Sequence, residues 1–413
     1  MAQATANRVA LRYVEEASIG EIPSNPALQL LRTTGDALTS GATFITSDEI
    51  TANRLVSDTV QTEATSGGTI SGELSYGTYD AFLEGLLGST WVPESTPQTL
   101  PSGATLAVLE STTGKYALAT TTDFFTEESY PTGSIILIEG ASRSSGNIYA
   151  IVADTPAVSA RLIPIHPFRQ LEPGQISAIG SRNVTRLSYL RNGSEDKSYT
   201  IQKHFQDIDP QVYWNFRGSR VSTLGLELAT GSILTAEFGF ETEADAITNA
   251  QLSGATFVNP NNNTVLNAVN NVASILRDNN ANLEETFFSS LSIGMDNNYR
   301  RQLAIGQLDA IGVAAGRLSL TGSIEYYFNN RRLVDDFKAA REYSLNFLLN
   351  DTDDAKTGGN SLIVSMPRVK NESLDIPTTG IDTDIFASAD FQALGKGSGT
   401  NAYSLQFSRR PAA

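Results

Sequence analysis

Two histidines, His166 and His204, are the only imidazoles in a chain of 413 residues that has no cysteine. That excludes a thiol nucleophile, a disulfide framework and a cysteine-bound zinc site. A metal or acid–base centre needs titratable groups that converge. His166 stands in Ile165-His166-Pro167-Phe168 and His204 in Lys203-His204-Phe205, and the two contexts share nothing. Asp351, Asp353 and Asp354, with Asn350 and Gly358, resemble a calcium loop only in part, because the sixth-position glycine and the twelfth-position glutamate are missing. They read as a solvated acidic turn. Gly395, Gly397 and Gly399 would cradle a phosphate only between a strand and a helix. A strand pattern follows at 401–408, so they read as a hairpin tip. There is no Gly-x-Ser-x-Gly elbow. The sequence supports no enzyme, and no catalytic, cofactor-binding or metal-binding residue is expected.

What remains is charge. Lysine and arginine total 29 and aspartate and glutamate 45, a net charge of −16. A balance of that sign opposes a grip on phosphates, which needs clustered cations. Charged residues make up 18 % of the chain, below the usual quarter or so, so Ser, Thr and Asn carry much of the polarity. These are weak helix formers, and the composition favours strands and turns. Hydrophobic residues at 40 % suffice for a core. No apolar run approaches the roughly 20 residues that span a bilayer. Residues 1–9 lack a basic start followed by an apolar stretch, so a cytoplasmic origin without a secretory signal is expected.

The elements that carry this charge follow from periodicity. In 69–76, Ile70, Gly72, Leu74 and Tyr76 fall on one face, and Thr69, Ser71, Glu73 and Ser75 on the other. That is a strand with one buried face. Gly67 and Gly68 before it predict a turn. Tyr79, Phe82, Leu83, Leu86 and Leu87 follow at helical spacing, with Thr78 as the predicted N-cap and Gly88 as the stop. Residues 1–50 read as an extended, turn-rich arm, and 93–101 as a linker. Short strand-like runs follow, such as 134–138 and 148–152, separated by a turn cluster at 140–146. They predict a small inserted β-barrel-like module. Residues 221–240 predict a long hairpin about Ala229-Thr230-Gly231, and the asparagine-rich 259–271 a loop.

The chain also resembles itself. Residues 220–240 and 307–326 read as similar hairpins about Ala229-Thr230-Gly231 and Ala314-Ala315-Gly316, in imperfect register. A second match has better order. The strand at 70–76 precedes the helix at 79–87, and a strand at 318–326 precedes an amphipathic turn at 331–338 with Leu333, Val334 and Phe337 inward. Gly72 matches Gly322, Leu74 matches Ile324 and Tyr76 matches Tyr326. The simplest account is two related β domains, the first split by the insert.

Ser47-Asp48-Glu49-Ile50 with Arg54, then the strand and helix at 67–88, resemble the tail tube (major tail) proteins of long-tailed bacteriophages. So do 193–198, 200–205, 213–218 and 220–240, and in the second half 361–368 and 391–394. The resemblance covers most of 30–410, and the order of the motifs is its specific feature. It implies two tandem β-sandwich or partial-barrel tube domains, each with a short helix. The first would span 1–95, with its extended arm, and 185–246; the inserted module 96–184; and the second domain 247–413. It implies a virion protein, assembled in the host cytoplasm, whose copies form rings that stack into a hollow tube for phage DNA. Two domains per chain would give a homotrimeric ring with pseudo-sixfold symmetry. The implied partners are the chain itself, a tape measure protein, and tail terminator and distal tail proteins. Double-stranded DNA would pass without specific binding.

A lumen lined with carboxylates would repel phosphate and leave nothing to stall passage. Glu63, Glu73, Glu227, Glu237 and Glu325 lie in the polar phase of their strands and are the expected lumen residues. The arm at 12–46 and the loop at 257–272 are candidate ring-to-ring contacts. A surface adhesin or carbohydrate-binding β protein would share the composition, but it needs exposed aromatic clusters, and Trp91 and Trp214 stand in separate blocks. An outer-membrane barrel needs aromatic girdles and an export signal.

Overall fold

The alternation at 69–76 belongs to a much longer ladder. In the computed structural model the chain is mainly β, of the sandwich class, with two α-helices among the described residues. The structure describes residues 4–50, 52–101, 104–112, 115–142, 146–154, 161–168, 183–278, 287–351, 359–378, 380–381, 383–397 and 402–411. Strands β1 (Val9–Glu15), β2 (Ala27–Leu30), β3 (Gly35–Asp36) and β4 (Thr39–Thr46) lead into β5 (Thr59–Glu73) and helix α1 (Asp80–Leu87). The inserted module holds β6 (Gln98–Thr99), β7 (Leu106–Thr112), β8 (Lys115–Thr120), β9 (Ile135–Ser142), β10 (Gly146–Val152), β11 (Leu162–Pro167) and β12 (Asn183–Arg186). Then come β13 (Ser188–Arg191), β14 (Tyr199–Phe205), β15 (Val212–Ala229), β16 (Thr235–Thr242), β17 (Ala244–Thr248) and β18 (Thr256–Val258). The last stretch holds β19 (Val272–Arg277), β20 (Phe288–Asp296), β21 (Arg300–Gln302), β22 (Gly312–Ala314), β23 (Ser319–Tyr327), α2 (Arg332–Lys338), β24 (Glu342–Asn350), β25 (Ser361–Asn371), β26 (Phe386–Ala393) and β27 (Gln406–Arg410).

Six antiparallel pairings occur twice, in the same chain order. β1–β14 recurs as β19–β24, β4–β5 as β20–β23, and β5–β16 as β23–β26. β14–β15 recurs as β24–β25, β15–β16 as β25–β26, and β15–β17 as β25–β27. β14–β15 and β24–β25 even share a bulge, just after Tyr199 and Tyr343. The helix follows β5 in one set and β23 in the other. The sets join where the second half of β15, already paired with β16, also pairs with β20 from Thr223↔Asp296 to Ala229↔Ser290. One sheet therefore runs β4-β5-β16-β15-β20-β23-β26.

The apolar phase of that sheet (Ile70, Phe238, Leu224, Ile293, Ile324 and Phe391 among others) closes on one core shared by both sets. Helix α1 adds Phe82, Leu83, Leu86 and Leu87. Phe82 meets the rings of Tyr13, Tyr199, Phe238 and Phe240 at centroid distances of 4.8, 5.5, 5.5 and 5.1 Å. Full burial of such a side chain contributes about 1.5–3 kcal/mol. Gly88 ends α1 in the left-handed conformation at φ 58°, as the sequence predicts.

The module explains why 135–138 is apolar at every position. Ile136 and Ile138 enter the module's own core with Val108, Leu118, Ile148 and Ile163. Ile135 and Leu137 point the other way and pack with Leu276, Leu348 and Ile363 of β19, β24 and β25. The module is an open sheet, edged by β6 and β7, seated on the outer face of the second set.

Several sequence expectations are corrected. Gly67 and Gly68 make no turn; they lie inside β5 at φ 148° and 138°. A Cβ on Gly68 would sit 2.2 Å from the carbonyl oxygen of Ala37, so the doublet serves close backbone approach. Thr78 does not cap α1: Tyr79 holds the N-cap position, and the Thr78 hydroxyl bonds Ser75 and Asn261 instead. Residues 307–326 are no hairpin, because β22 pairs back to β21 while β23 pairs with β20 and β26. Residues 1–50 are no free arm, since β1 pairs with β14 and β4 with β5. Of the inward residues predicted for α2, Leu333 alone is fully buried.

Two glycines of the large sheet should behave oppositely. Gly68→Ala is expected to destabilise the fold by about 3 kcal/mol. Gly225→Ala, where a Cβ meets nothing within 4 Å, should stay within about 0.5 kcal/mol of the parent. Urea unfolding midpoints check both, and equal midpoints would contradict the packing described for β5.

Candidate functional site

The face of the large sheet turned away from the core is built by the same alternation that fills the core. On β5 it presents Thr69, Ser71 and Glu73; on β16 Thr235, Glu237, Gly239 and Glu241; on β15 Thr223, Gly225 and Glu227. β20 adds Ser290, Ser292, Gly294 and Asp296; β23 Ser319, Thr321, Ser323 and Glu325; β26 Ser388, Asp390 and Gln392. None of these residues is lysine or arginine.

The pairing registers space the carboxylates. One row reads Glu73, Thr235, Glu227, Ser292, Ser323, Asp390. The next reads Ser71, Glu237, Gly225, Gly294, Thr321, Gln392. Glu325 stands between Ser290 and Ser388. No carboxylate in these rows lies directly opposite another, the arrangement that would be destabilising. Hydroxyls tie the rows: Ser71 Oγ donates to Glu237 Oε2 at 3.0 Å, and the Ser292 and Ser323 hydroxyls are 3.0 Å apart. Glu227 and Glu237 are exposed, and Glu73 and Glu325 half-buried.

Of the five glutamates singled out in the sequence, the structure brings four onto this face: Glu73, Glu227, Glu237 and Glu325. Glu63 stands apart, near the start of β5, with its Oε1 3.4 Å from Arg301 Nε. The sequence reading missed Asp296 and Asp390, whose strands are rich in Ser, Ala and Gly and give a weak apolar signal. It also missed Glu241, although that residue continues the phase of Glu237. Burial pushes the Glu241 carboxyl above its usual value, and the nearby Arg301 opposes that shift.

The two histidines are not brought together. His204 stacks on Tyr213 at 4.3 Å, with Arg12 Nη1 and Gln211 Oε1 each 3.2 Å from its ring nitrogens. His166 borders a cavity of about 220 Å³ between the module and the second set, with Lys396, Tyr403 and Glu127. Burial depresses both imidazoles, helped by Lys396 at His166 and by Arg12 at His204. Among the described residues no three His, Asp or Glu gather as a metal site. Asp353, Asp354, Gly358 and Gly399 lie outside the described residues.

What the face can do chemically is repel anions. It is broad, polar and acidic; these six strands put no lysine or arginine on it, Lys370 of β25 stands opposite Gln392 at its edge, and a packed core backs it. A family model described as phage tail tube protein matches residues 6–393. No curated protein matches the chain.

The buried carboxyl at the rim gives a test. Because the folded pKa of Glu241 is raised, the native state holds its proton more tightly, and the contribution of this group to stability falls as pH rises above about 4.5. Glu241→Gln is therefore expected to unfold at a higher denaturant concentration than the parent at pH 7. The gain should shrink as pH falls towards 4.5. A variant less stable than the parent at pH 7 would show that the attraction to Arg301 outweighs burial.

Proposed function

We propose, because the chain belongs to the phage tail tube protein family, that its copies close into rings around the acidic face and that the rings stack into the bore of the tail. Its role in the virion tail is structural, and its partners are further copies of itself and other tail components. The observation that carries the reading of the bore is the acidic polar face on β5-β16-β15-β20-β23-β26, six strands that place carboxylates and hydroxyls on it and no lysine or arginine, with Lys370 at its β25 edge. Double-stranded DNA passing such a wall meets carboxylates and hydroxyls, and no clustered cations to exchange for its counterions.

In this reading the two sets of pairings are copies of one tube unit. The first copy is divided by the module at 96–184, and the second occupies 247–413. Ring closure then follows from the junction inside the chain. β14 ends its pairing with β15 at Tyr199↔Ser219, and β20 takes the edge that β14 vacates. In the second set, β24 begins at Glu342, opposite Lys370. Beyond that point the chain continues alongside β26, through bonds such as Asp375 N–H to Ser388 O at 2.8 Å. The edge vacated by β24 is the counterpart of the one β20 fills. The counterpart of β20 is β4 of another chain: eight uncharged residues, all exposed, paired on one side with β5. A long exposed edge of that kind needs a partner. Three chains would supply six units, and a head-to-tail ring closes by rotation.

Stacking has a physical basis at the two ends of the sheet. At the end where β5 begins, Phe44, Ile45, Ile50 and Val60 are exposed; at the other, Ile233, Phe287, Tyr327 and Phe328 are. Of the candidate contact segments, the β4 portion of 12–46 lies at the first end. In 257–272, the exposed Val269 lies near the second, beside the Ile233↔Asn267 bridge.

Negative-stain images of concentrated protein should show rings or hollow rods; dispersed single particles at all concentrations would contradict the proposal. Glu73→Lys with Glu237→Lys should leave assembly intact and slow genome ejection. Normal infectivity of particles built from that variant would remove the acidic bore from the account.

A further inference from the structure

Besides the inserted module, the two sets differ in the link between the paired strands that precede each helix. Between β4 and β5 the chain makes an excursion at 47–58, and between β20 and β23 another at 297–318. The first continues its hairpin outward, with Ser47 N–H bonded to Asp58 O at 2.9 Å and Ile50 99 % exposed. The second folds back. Its short hairpin, β21–β22, lies against β5 of the same chain, at the edge that β16 leaves open after Thr242↔Ser66.

Arg301 fastens it there. Its guanidinium donates from Nη2 to Ala64 O at 2.7 Å and from Nη1 to Thr242 O at 3.1 Å, and Nε faces Glu63 at 3.4 Å. Ala64 N–H donates to Leu308 O at 2.9 Å, so both backbone groups of Ala64 on that edge are taken by the second excursion. The charged fork is largely buried, with its side chain 15 % exposed. Opening it would leave the Ala64 carbonyl without its donor, Thr242 O with the Ser66 hydroxyl alone, and Glu63 without its ion-pair partner.

Resting on the assembly proposed above, we infer that the two excursions play unlike parts in stacking. The 47–58 hairpin is an arm that reaches into the next ring. The 297–318 excursion also exposes an apolar tip at Ile305, but Arg301 holds it against β5 of its own chain and keeps it within its own ring. The partner of the arm is a second copy of this chain, presenting the opposite end of its sheet with exposed Ile233, Phe287, Tyr327 and Phe328. Each ring of three chains then offers three arms, alternating with three folded pads. Rings are keyed to one another every third of a turn, although each contains six units. A ring of six equivalent units would have six settings, and Arg301 is the residue that halves the number.

Two measurements on the full chain test this. In the unassembled chain, Arg301→Ala should speed amide exchange at 300–314 by about tenfold or more, with α1 and the core strands unchanged. Arg301→Lys keeps the charge near Glu63 but loses the fork, and should show an intermediate rate. Unchanged exchange in Arg301→Ala overturns the pin. In tubes of the unaltered chain, electron cryo-microscopy should show three arms crossing each ring boundary; six crossing arms overturn the inference while leaving the tube intact. Ile50→Asp with Val56→Asp should give rings that do not stack and that melt like the parent, and rods from this variant would also overturn it. If the unaltered chain forms neither rings nor rods, the assembly reading itself fails, and the exchange experiment still reports on the pin.

Discussion

The backbone ladder between β15 and β20 is the constraint on which the architecture turns. β15 is long enough to serve two sheets: its first half lies between β14 and β17, and its second between β16 and β20. If β20 left that second edge, its amides and carbonyls would open to water and the large sheet would be cut in two, with the β13–β27 ladder and the Arg301 contacts left to hold the sets together. With β20 in place the two sets share one sheet, and hence one apolar face and one polar face. The single core that runs from Phe82 and Phe238 through Ile293 to Phe391 is a consequence of that continuity.

The same period of two decides where the module sits. A strand in a one-sided sheet alternates, but 135–138 in β9 does not, because both of its faces are covered. Ile136 and Ile138 fill the module, while Ile135 and Leu137 clamp it to β24 and β25. The opposite faces of those strands, with Leu345, Phe347, Leu349 and Val364, belong to the main core. Module, outer strands, core and acidic sheet thus stack in that order. The inserted segment is as far from the polar face as the sandwich allows.

Local pattern was legible in the sequence, and non-local pairing was not. Ile70, Gly72 and Leu74 declare a half-buried strand, and Leu224 to Phe240 a hairpin, because each pattern closes within about twenty residues. The match of Gly72 to Gly322 is legible for the same reason, and both glycines lie under aromatic rings, Tyr79 and Phe391. The misreadings share a cause. Gly67-Gly68 is a turn signal in any window, and only the approach of Ala37 and Phe240 shows that it is a crossing point. Ala314-Ala315-Gly316 looks like a hairpin turn until β22 is seen to pair with β21. The ion pair of Glu63 with Arg301, more than two hundred residues away, is likewise out of reach of any local window, and it says nothing against the polar phase of Glu63. β20 and β26 gave little signal because their polar phase is Ser, Gly and Asp, and the apolar phase of β26 is partly alanine.

The spacing of the acidic face bears on what it can do. Two carboxylates at adjacent positions would share a proton or bind a cation, and either outcome would reduce the charge of the wall. Thr235 between Glu73 and Glu227, and Ser292 with Ser323 between Glu227 and Asp390, keep the charges of that row one or two strands apart. At physiological salt a charge is felt over roughly 8 Å, so neighbouring carboxylates overlap into a continuous negative surface without being paired. Such a surface contributes little to folding, since it faces water and its charges repel. Glu241 is the exception that marks the boundary: it is partly buried beside Arg301, where the face meets the pinned excursion, and there burial works against its charge.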